Sequence, residues 1–132
     1  MSHSLSVVII TKNEENFIED AISSANFADE VLVLDSISTD KTCELSLKMG
    51  ARVLSHEWLG FGKQKNLAVR LATHDWVFVL DADERITPNL KIELLSTLKD
   101  PSADGYLVPR LNSFFGKEIK TCGLYPDYSL RL

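Results

Sequence analysis

The sequence predicts an α/β fold, a mostly parallel sheet flanked by helices, and three observations carry that prediction. Four short runs rich in Val, Ile and Leu recur: "LSVVII" (5–10), "EVLVLD" (30–35), "ARVLSH" (51–56) and "DWVFVLD" (75–81). Their apolar character is close to continuous, as in strands buried on both faces of a parallel sheet. Helix-like segments at 14–25, 39–50 and 61–73 separate them. With a further helix after the fourth run, the order is β-α-β-α-β-α-β-α, which specifies a doubly wound sheet with right-handed crossovers.

In such sheets ligands bind beyond the carboxyl ends of the strands, so the loops there are the ones to read. The first strand runs into "TKNEE", which offers Thr11, Lys12 and Asn13 to that edge, while Glu14 and Glu15 favour the positive end of the helix they open. After the second strand, "DSISTDKT" sets Asp35 where a carboxylate can accept hydrogen bonds from a base N–H or a ribose hydroxyl. Asp40 reads as a cap for the next helix, which Gly50 stops. The third strand leads to "GFGKQKNLAVR", where Lys63, Lys65 and Arg70 stand with no acid between Gly60 and His74. Lys63 and Lys65 lie near a helix N-terminus whose dipole favours anions, and a diphosphate is their natural partner. Arg70 reads as part of a solvated face.

The fourth strand ends in Asp81, Asp83 and Glu84. Carboxylates this close raise one another's pKa unless a cation compensates them. If the strand continues, Asp81 and Asp83 share a face, and two oxygen ligands at a strand end suit Mg²⁺ or Mn²⁺ holding a substrate phosphate. The alternative is a group of solvated turn acids. Thr87 then caps a fourth helix that Pro88 opens, with Leu90, Leu94, Leu95 and Leu98 as its core-facing stripe. From Pro101 the character changes, and "GYLVPRLNSFFGKEI" reads as a strand, a turn at Gly116 and a return strand. The chain thus divides into an α/β region, 1–100, and the start of a β-rich region, 101–132. Its end at "SLRL", within strand-like sequence, reads as the front part of a larger protein, with a short complete domain as the alternative.

The bulk numbers fit one domain: 132 residues, 45% apolar and 25% charged. A formal net charge of −5 argues against a general nucleic-acid binder. Cys43 and Cys122 stand far apart without a metal-binding pattern, so a reducing cytoplasm is the default compartment. The N-terminus has no basic n-region of a signal peptide, and no segment approaches the roughly 20 apolar residues that span a bilayer.

Three chemistries place a DxD at a strand end. A phosphatase with a nucleophilic Asp carries Thr or Val at the fifth position, usually after the first strand, whereas this motif has Arg85 there and follows the fourth. A dinucleotide fold uses GxGxxG after the first strand, and "TKNEEN" has no glycine. A nucleotide-sugar transferase needs a nucleoside site on early strands and a metal-bridging DxD after the fourth. The order here matches the third.

"SVVIITKNEENFIEDAISS", "VLVLDSISTDKT", "GFGKQKNLA" and "WVFVLDADERIT" together resemble the inverting glycosyltransferase family 2, which has the GT-A fold. "DADE" with the later "YPDYSLRL" resembles its lipopolysaccharide core β-1,4-glucosyltransferase-like subgroup. The resemblance implies a nucleoside diphosphate sugar donor, a UDP-sugar favoured, with Mg²⁺ or Mn²⁺, and a glycan or glycolipid acceptor. It places Thr11 and Asn13 near the nucleoside, Asp35 on the base, and Lys65 and Asn66 beside the nucleotide. Asp81 would meet ribose or a metal-bound water, and Asp83 would be the direct metal ligand. The implied reaction is a single displacement with inversion, in which Lys63 or Lys65 assists the leaving diphosphate and Asp127, the only carboxylate after Glu118, is the candidate base. The same resemblance implies a cytoplasmic enzyme, peripheral at the inner face of the inner membrane. A catalytically silent nucleotide-sugar-binding module is the alternative reading.

Overall fold

The computed structural model describes residues 3–100, together with the backbone of two later strands. Ten elements follow in order: β1 Leu5–Thr11, α1 Ile18–Ala25, β2 Glu30–Asp35, α2 Thr42–Lys48, β3 Arg52–Ser55, α3 Phe61–Leu71, β4 Trp76–Asp81, α4 Pro88–Lys99, β5 Val108–Asn112 and β6 Lys117–Thr121. The first four strands form one sheet in the order β3-β2-β1-β4, every pair parallel. β5 and β6 pair antiparallel as a separate two-stranded sheet, as the strand–turn–strand reading expects; the turn at Gly116 lies outside the described residues.

Strand periodicity splits the core into two layers. Val7 and Ile9 of β1, Val33 of β2, and Trp76, Phe78 and Leu80 of β4 point to one face, where α1 and α4 cover them. Val8, Ile10, Leu32, Leu34, Val77 and Val79 point to the other, against Ala68 and Val69 of α3. Burial on both faces explains the near-continuous apolar runs of the central strands. β3 departs from the expected buried strand: it is the sheet edge, and Arg52 and Ser55 are exposed.

Two helices start later than their sequence patterns indicate. α1 begins at Ile18, and the N–H groups of Glu14 and Glu15 before it bond Thr42 Oγ1 (2.8 Å) and Asp40 Oδ2 (3.2 Å) of the neighbouring loop. Glu14 and Glu15 do not sit in the helix's first turn; Glu19 and Asp20 do. α2 begins at Thr42, whose N–H donates to Asp40 Oδ1 (2.9 Å), in keeping with a capping role for Asp40. It ends as predicted at Gly50, which takes φ 88° while Gly50 N–H bonds Leu47 O and Ala51 N–H bonds Ser46 O. This is a Schellman motif, a conformation suited to glycine. Thr87 Oγ1 accepts the Leu90 N–H (3.1 Å), and Pro88 occupies the first turn of α4. Of the expected α4 stripe, Leu94 and Leu98 are buried and Leu90 packs partly against the core, but Leu95 is 39% exposed. It lies on the far flank of a helix whose core contact is a narrow strip.

A polar latch closes the amino edge of the sheet. Glu30 accepts bonds from Thr73 N–H (2.8 Å), Thr73 Oγ1 (2.7 Å), Ser6 Oγ (2.8 Å) and Arg52 (3.0 Å). Burial alone would raise its pKa, but these four donors outweigh it and hold the carboxyl at about 2. A folded pKa below the ordinary value means a stabilising contribution fully present above pH 4.5 and lost as pH falls towards 2. Glu30→Gln is expected to lower stability by about 2 kcal/mol at pH 7, with the gap narrowing below pH 4.5. Urea midpoints at pH 7 and pH 3 check this, and an equal gap at both would refute the charge-based account.

Candidate functional site

The motif residues gather at the carboxyl edge of the sheet, and the first two loops are zipped together there. Asn13, at φ 53°, donates its N–H to Ser38 Oγ (2.8 Å) and accepts the Thr39 N–H on Oδ1 (2.8 Å). Lys12 Nζ donates to the carbonyls of Ser36 (2.9 Å) and Ile37 (3.1 Å). Ile37 itself takes φ 52°, a left-handed conformation that costs a β-branched residue about 1–2 kcal/mol. The surrounding bonds hold it there.

Asp35 is the centre of that restraint. It is fully buried, and its carboxylate accepts bonds from Thr11 Oγ1 (2.6 Å), Ser38 N–H (2.8 Å), Ser38 Oγ (2.5 Å) and the Cys43 thiol. Burial pushes its pKa up, and the donors together bring it below the ordinary value. The Cys43 thiol, by contrast, is pushed up to about 11 by its own burial, by its bond to Asp35 and by the charges of Asp35 and Asp40, so it stays protonated. Thr11 and Asp35 are thus brought together inside the protein. In this arrangement Asp35 shapes the loop.

The acidic turn departs from the conditional geometry read from sequence. β4 stops at Asp81, and residues 81–84 make a turn closed by Glu84 N–H to Asp81 O (2.9 Å). Glu84 Oε1 folds back to accept the Asp81 N–H (2.9 Å), so Glu84 supports the turn. Asp83 is exposed at the turn, and Asp81 is partly exposed with Lys65 Nζ 3.4 Å from Oδ1. The strand alternation that would set Asp81 and Asp83 on one face does not apply, because a turn presents them instead.

Glu14 faces this turn from the first loop. Its pKa is raised by burial first, then by the charges of Asp83, Asp40 and Asp81. Carboxylates from three loops therefore converge. Among the described residues no group of three or more His, Cys, Asp or Glu side chains is arranged as a complete metal site. One or two carboxylates completed by substrate phosphates and water is, however, how Mg²⁺ is held at nucleotide sites. The hard oxygen donors and the surplus negative charge fit such a cation, with Asp83 and Asp81 to hold it.

α3 starts at the same edge of the sheet, with its N–H groups free of a side-chain cap. Its N-cap, Gly60 at φ 96°, provides no side-chain cap, and no acid occupies its first turn. Lys63 and Asn66 are exposed on the outer face of α3, whereas Lys65 turns towards Asp81. Sequence reasoning missed Gln64, which is fully buried and joins two loops: Nε2 donates to Ser36 Oγ (2.9 Å) and Oε1 accepts the Leu59 N–H (3.2 Å). The available signal was its place at i, i+4, i+7 with Ala68 and Leu71, a polar residue on an apolar stripe. Asp127 lies outside the described residues. Two cavities, of about 250 and 270 Å³, lie at the amino edge, the first lined by His3, His74 and Trp76 among others.

Comparison with known proteins agrees with this geometry. The family model for glycosyl transferase family 2 matches residues 6–121. A Rickettsia bellii protein described as an uncharacterized glycosyltransferase is 42% identical over 108 residues, 81% of this chain and 37% of its own length. The lipopolysaccharide core biosynthesis glycosyltransferase LpsC of Rhizobium meliloti is 35% identical over 99 residues, 71% of this chain and 36% of its own. Among solved structures, glucosyl-3-phosphoglycerate synthase from Mycobacterium tuberculosis, in complex with Mn²⁺, UDP and glucosyl-3-phosphoglycerate, superposes with TM-score 0.60 at 30% identity, covering 71% of this chain and 40% of that one. The fold is the GT-A fold, as the parallel four-stranded sheet and its flanking helices indicate. The chain spans a little over a third of the length of the curated relatives it matches.

Proposed function

The chain belongs to glycosyl transferase family 2, and from that premise we propose that it binds a UDP-sugar with Mg²⁺ or Mn²⁺ and transfers the sugar, with inversion, to a hydroxyl of a glycan or glycolipid. The observation that carries this reading is the convergence at one sheet edge of the Asp81–Glu84 turn, Glu14 and the uncapped start of α3. A diphosphate joins those parts: its oxygens can meet the N–H groups of α3 and Lys63 while sharing a cation with Asp83 and Asp81. When bound, that cation supplies charge neutralisation of the leaving diphosphate.

The chain's own residues then have distinct tasks. Lys65, paired with Asp81, keeps that carboxylate at the edge and lies one turn into α3 from its phosphate-facing end. Thr11, Asn13 and the Asp35 clasp fix the loops against which the nucleoside lies. Asn66 stands on the exposed side of α3 beside the nucleotide. Asp127 is the proposed base that takes the proton of the acceptor hydroxyl as it attacks the anomeric carbon. The relation to LpsC supports a role in lipopolysaccharide core assembly; a cytoplasmic location, peripheral at the inner membrane, is part of the same proposal.

Calorimetric titration with UDP tests the donor half. Saturable binding is expected with Mn²⁺ and at least tenfold weaker binding in EDTA; equal affinity in both would remove the cation from the account. A donor-binding module without turnover is the second reading, favoured by the chain's covering only 37% of the R. bellii relative. Sugar release from a UDP-sugar by this chain would exclude it.

A further inference from the structure

Of the residues that α3 buries, Ala68 and Val69 face the apolar core, while Gln64 carries an amide. A buried amide is costly unless both of its ends are bonded. Here both are, and to different loops: Nε2 donates to Ser36 Oγ, and Oε1 accepts the Leu59 N–H. Ser36, itself buried, donates its N–H to Thr11 O (2.9 Å), and its carbonyl accepts Lys12 Nζ. It is thereby built into the first two loops. Leu59 precedes Gly60, the N-cap of α3, whose φ of 96° and ψ of 157° suit glycine alone. The Gln64 N–H donates to Gly60 O (2.9 Å) and closes the first turn, behind the N–H groups of Phe61, Gly62 and Lys63. The next residue, Lys65, reaches Asp81. Two consecutive side chains thus tie the start of α3 to the loops after β1 and β2 on one side and to the acidic turn on the other.

We infer that Gln64 is a positioning residue for the donor, a role that rests on the donor reading proposed above. It fixes the start of α3 relative to the first two loops, so that a nucleoside lying on those loops carries its diphosphate to the N–H groups of Phe61–Lys63. A methionine would be close to it in volume and would suit the apolar stripe of α3 better. What the amide adds is direction, because its two bonds set Ser36 and Leu59 at a fixed separation. The role concerns the joining of two halves of one ligand. Its loss therefore falls on a ligand that carries both halves.

Gln64→Met keeps the volume and removes both bonds. Uridine, inorganic pyrophosphate with Mn²⁺, and UDP with Mn²⁺ are titrated against wild type and variant, with binding followed on the protein's amide signals by NMR. Uridine and pyrophosphate affinities should stay within about twofold and UDP should bind at least about tenfold more weakly, since a misplacement of about 1 Å can cost on the order of 100-fold. Ser36→Ala should show the same selective loss, smaller because the Leu59 bond remains, and it carries the test should Gln64→Met not fold. The double variant should bind UDP no more weakly than Gln64→Met alone, as two residues acting through one bond do. UDP bound equally by wild type and both single variants, or a loss shared equally by all three ligands, would overturn the positioning role and leave the donor reading standing. No binding of UDP by the wild type would overturn both.

Discussion

Asp83→Ala is expected to remove the metal-dependent part of UDP binding, weakening it on the order of 100-fold, about 3 kcal/mol. The fold should be almost untouched, because Asp83 is an exposed turn residue and such substitutions change stability by about 0.5 kcal/mol or less. Losing its charge also removes one of the carboxylates that raise the Glu14 pKa. Asp81→Ala is a different experiment, since it also strands Lys65. Titration of UDP with Mn²⁺ and with EDTA separates these effects. The variant should bind equally weakly in both, and retained Mn²⁺ dependence in Asp83→Ala would transfer the metal role elsewhere.

Asp35→Ala should destabilise the protein by about 2–4 kcal/mol, the cost of leaving buried donors without an acceptor. Thr11, Ser38 and Cys43 all lose their partner at once, and Ile37 loses part of the restraint on its left-handed backbone. Asp35→Asn should fall between, because an amide keeps one oxygen but sets an N–H donor against Ser38. The folded carboxyl is held below its ordinary value, so its contribution is present above pH 3.8 and lost as pH falls through that lower folded pKa. Urea unfolding of both variants at pH 7 is the measurement. Wild-type stability combined with lost UDP affinity would mean that Asp35 reads the base directly and is no clasp.

The two variants also mark where sequence reading succeeds. The four apolar runs, the parallel sheet and the carboxyl-edge loops follow from local patterns: strand runs buried on both faces, a Thr87-Pro88 start, a Gly50 stop. What stayed hidden depends on partners distant in sequence. Asp35 becomes an internal clasp through Thr11, 24 residues away, and Thr42 and Asp40 tie down N–H groups 28 and 25 residues earlier, ahead of α1. Strand alternation gave no hint that Glu84 folds the chain back at Asp81. Gln64 and Leu95 show the same limit from opposite sides: a polar residue buried where an apolar one fits the stripe, and a leucine exposed where the stripe predicted burial.

The central claim is that one cation, held by the Asp81–Asp83 turn, joins the protein to a diphosphate lying at the start of α3. A crystal structure of the chain with UDP and Mn²⁺, with the metal located by its anomalous signal, tests it most directly. The account predicts Mn²⁺ about 2.1 Å from an Asp83 oxygen and the diphosphate between that ion and the N–H groups of Phe61–Lys63. Mn²⁺ or UDP found instead at the amino edge, in the cavity lined by His3 and His74, would contradict it.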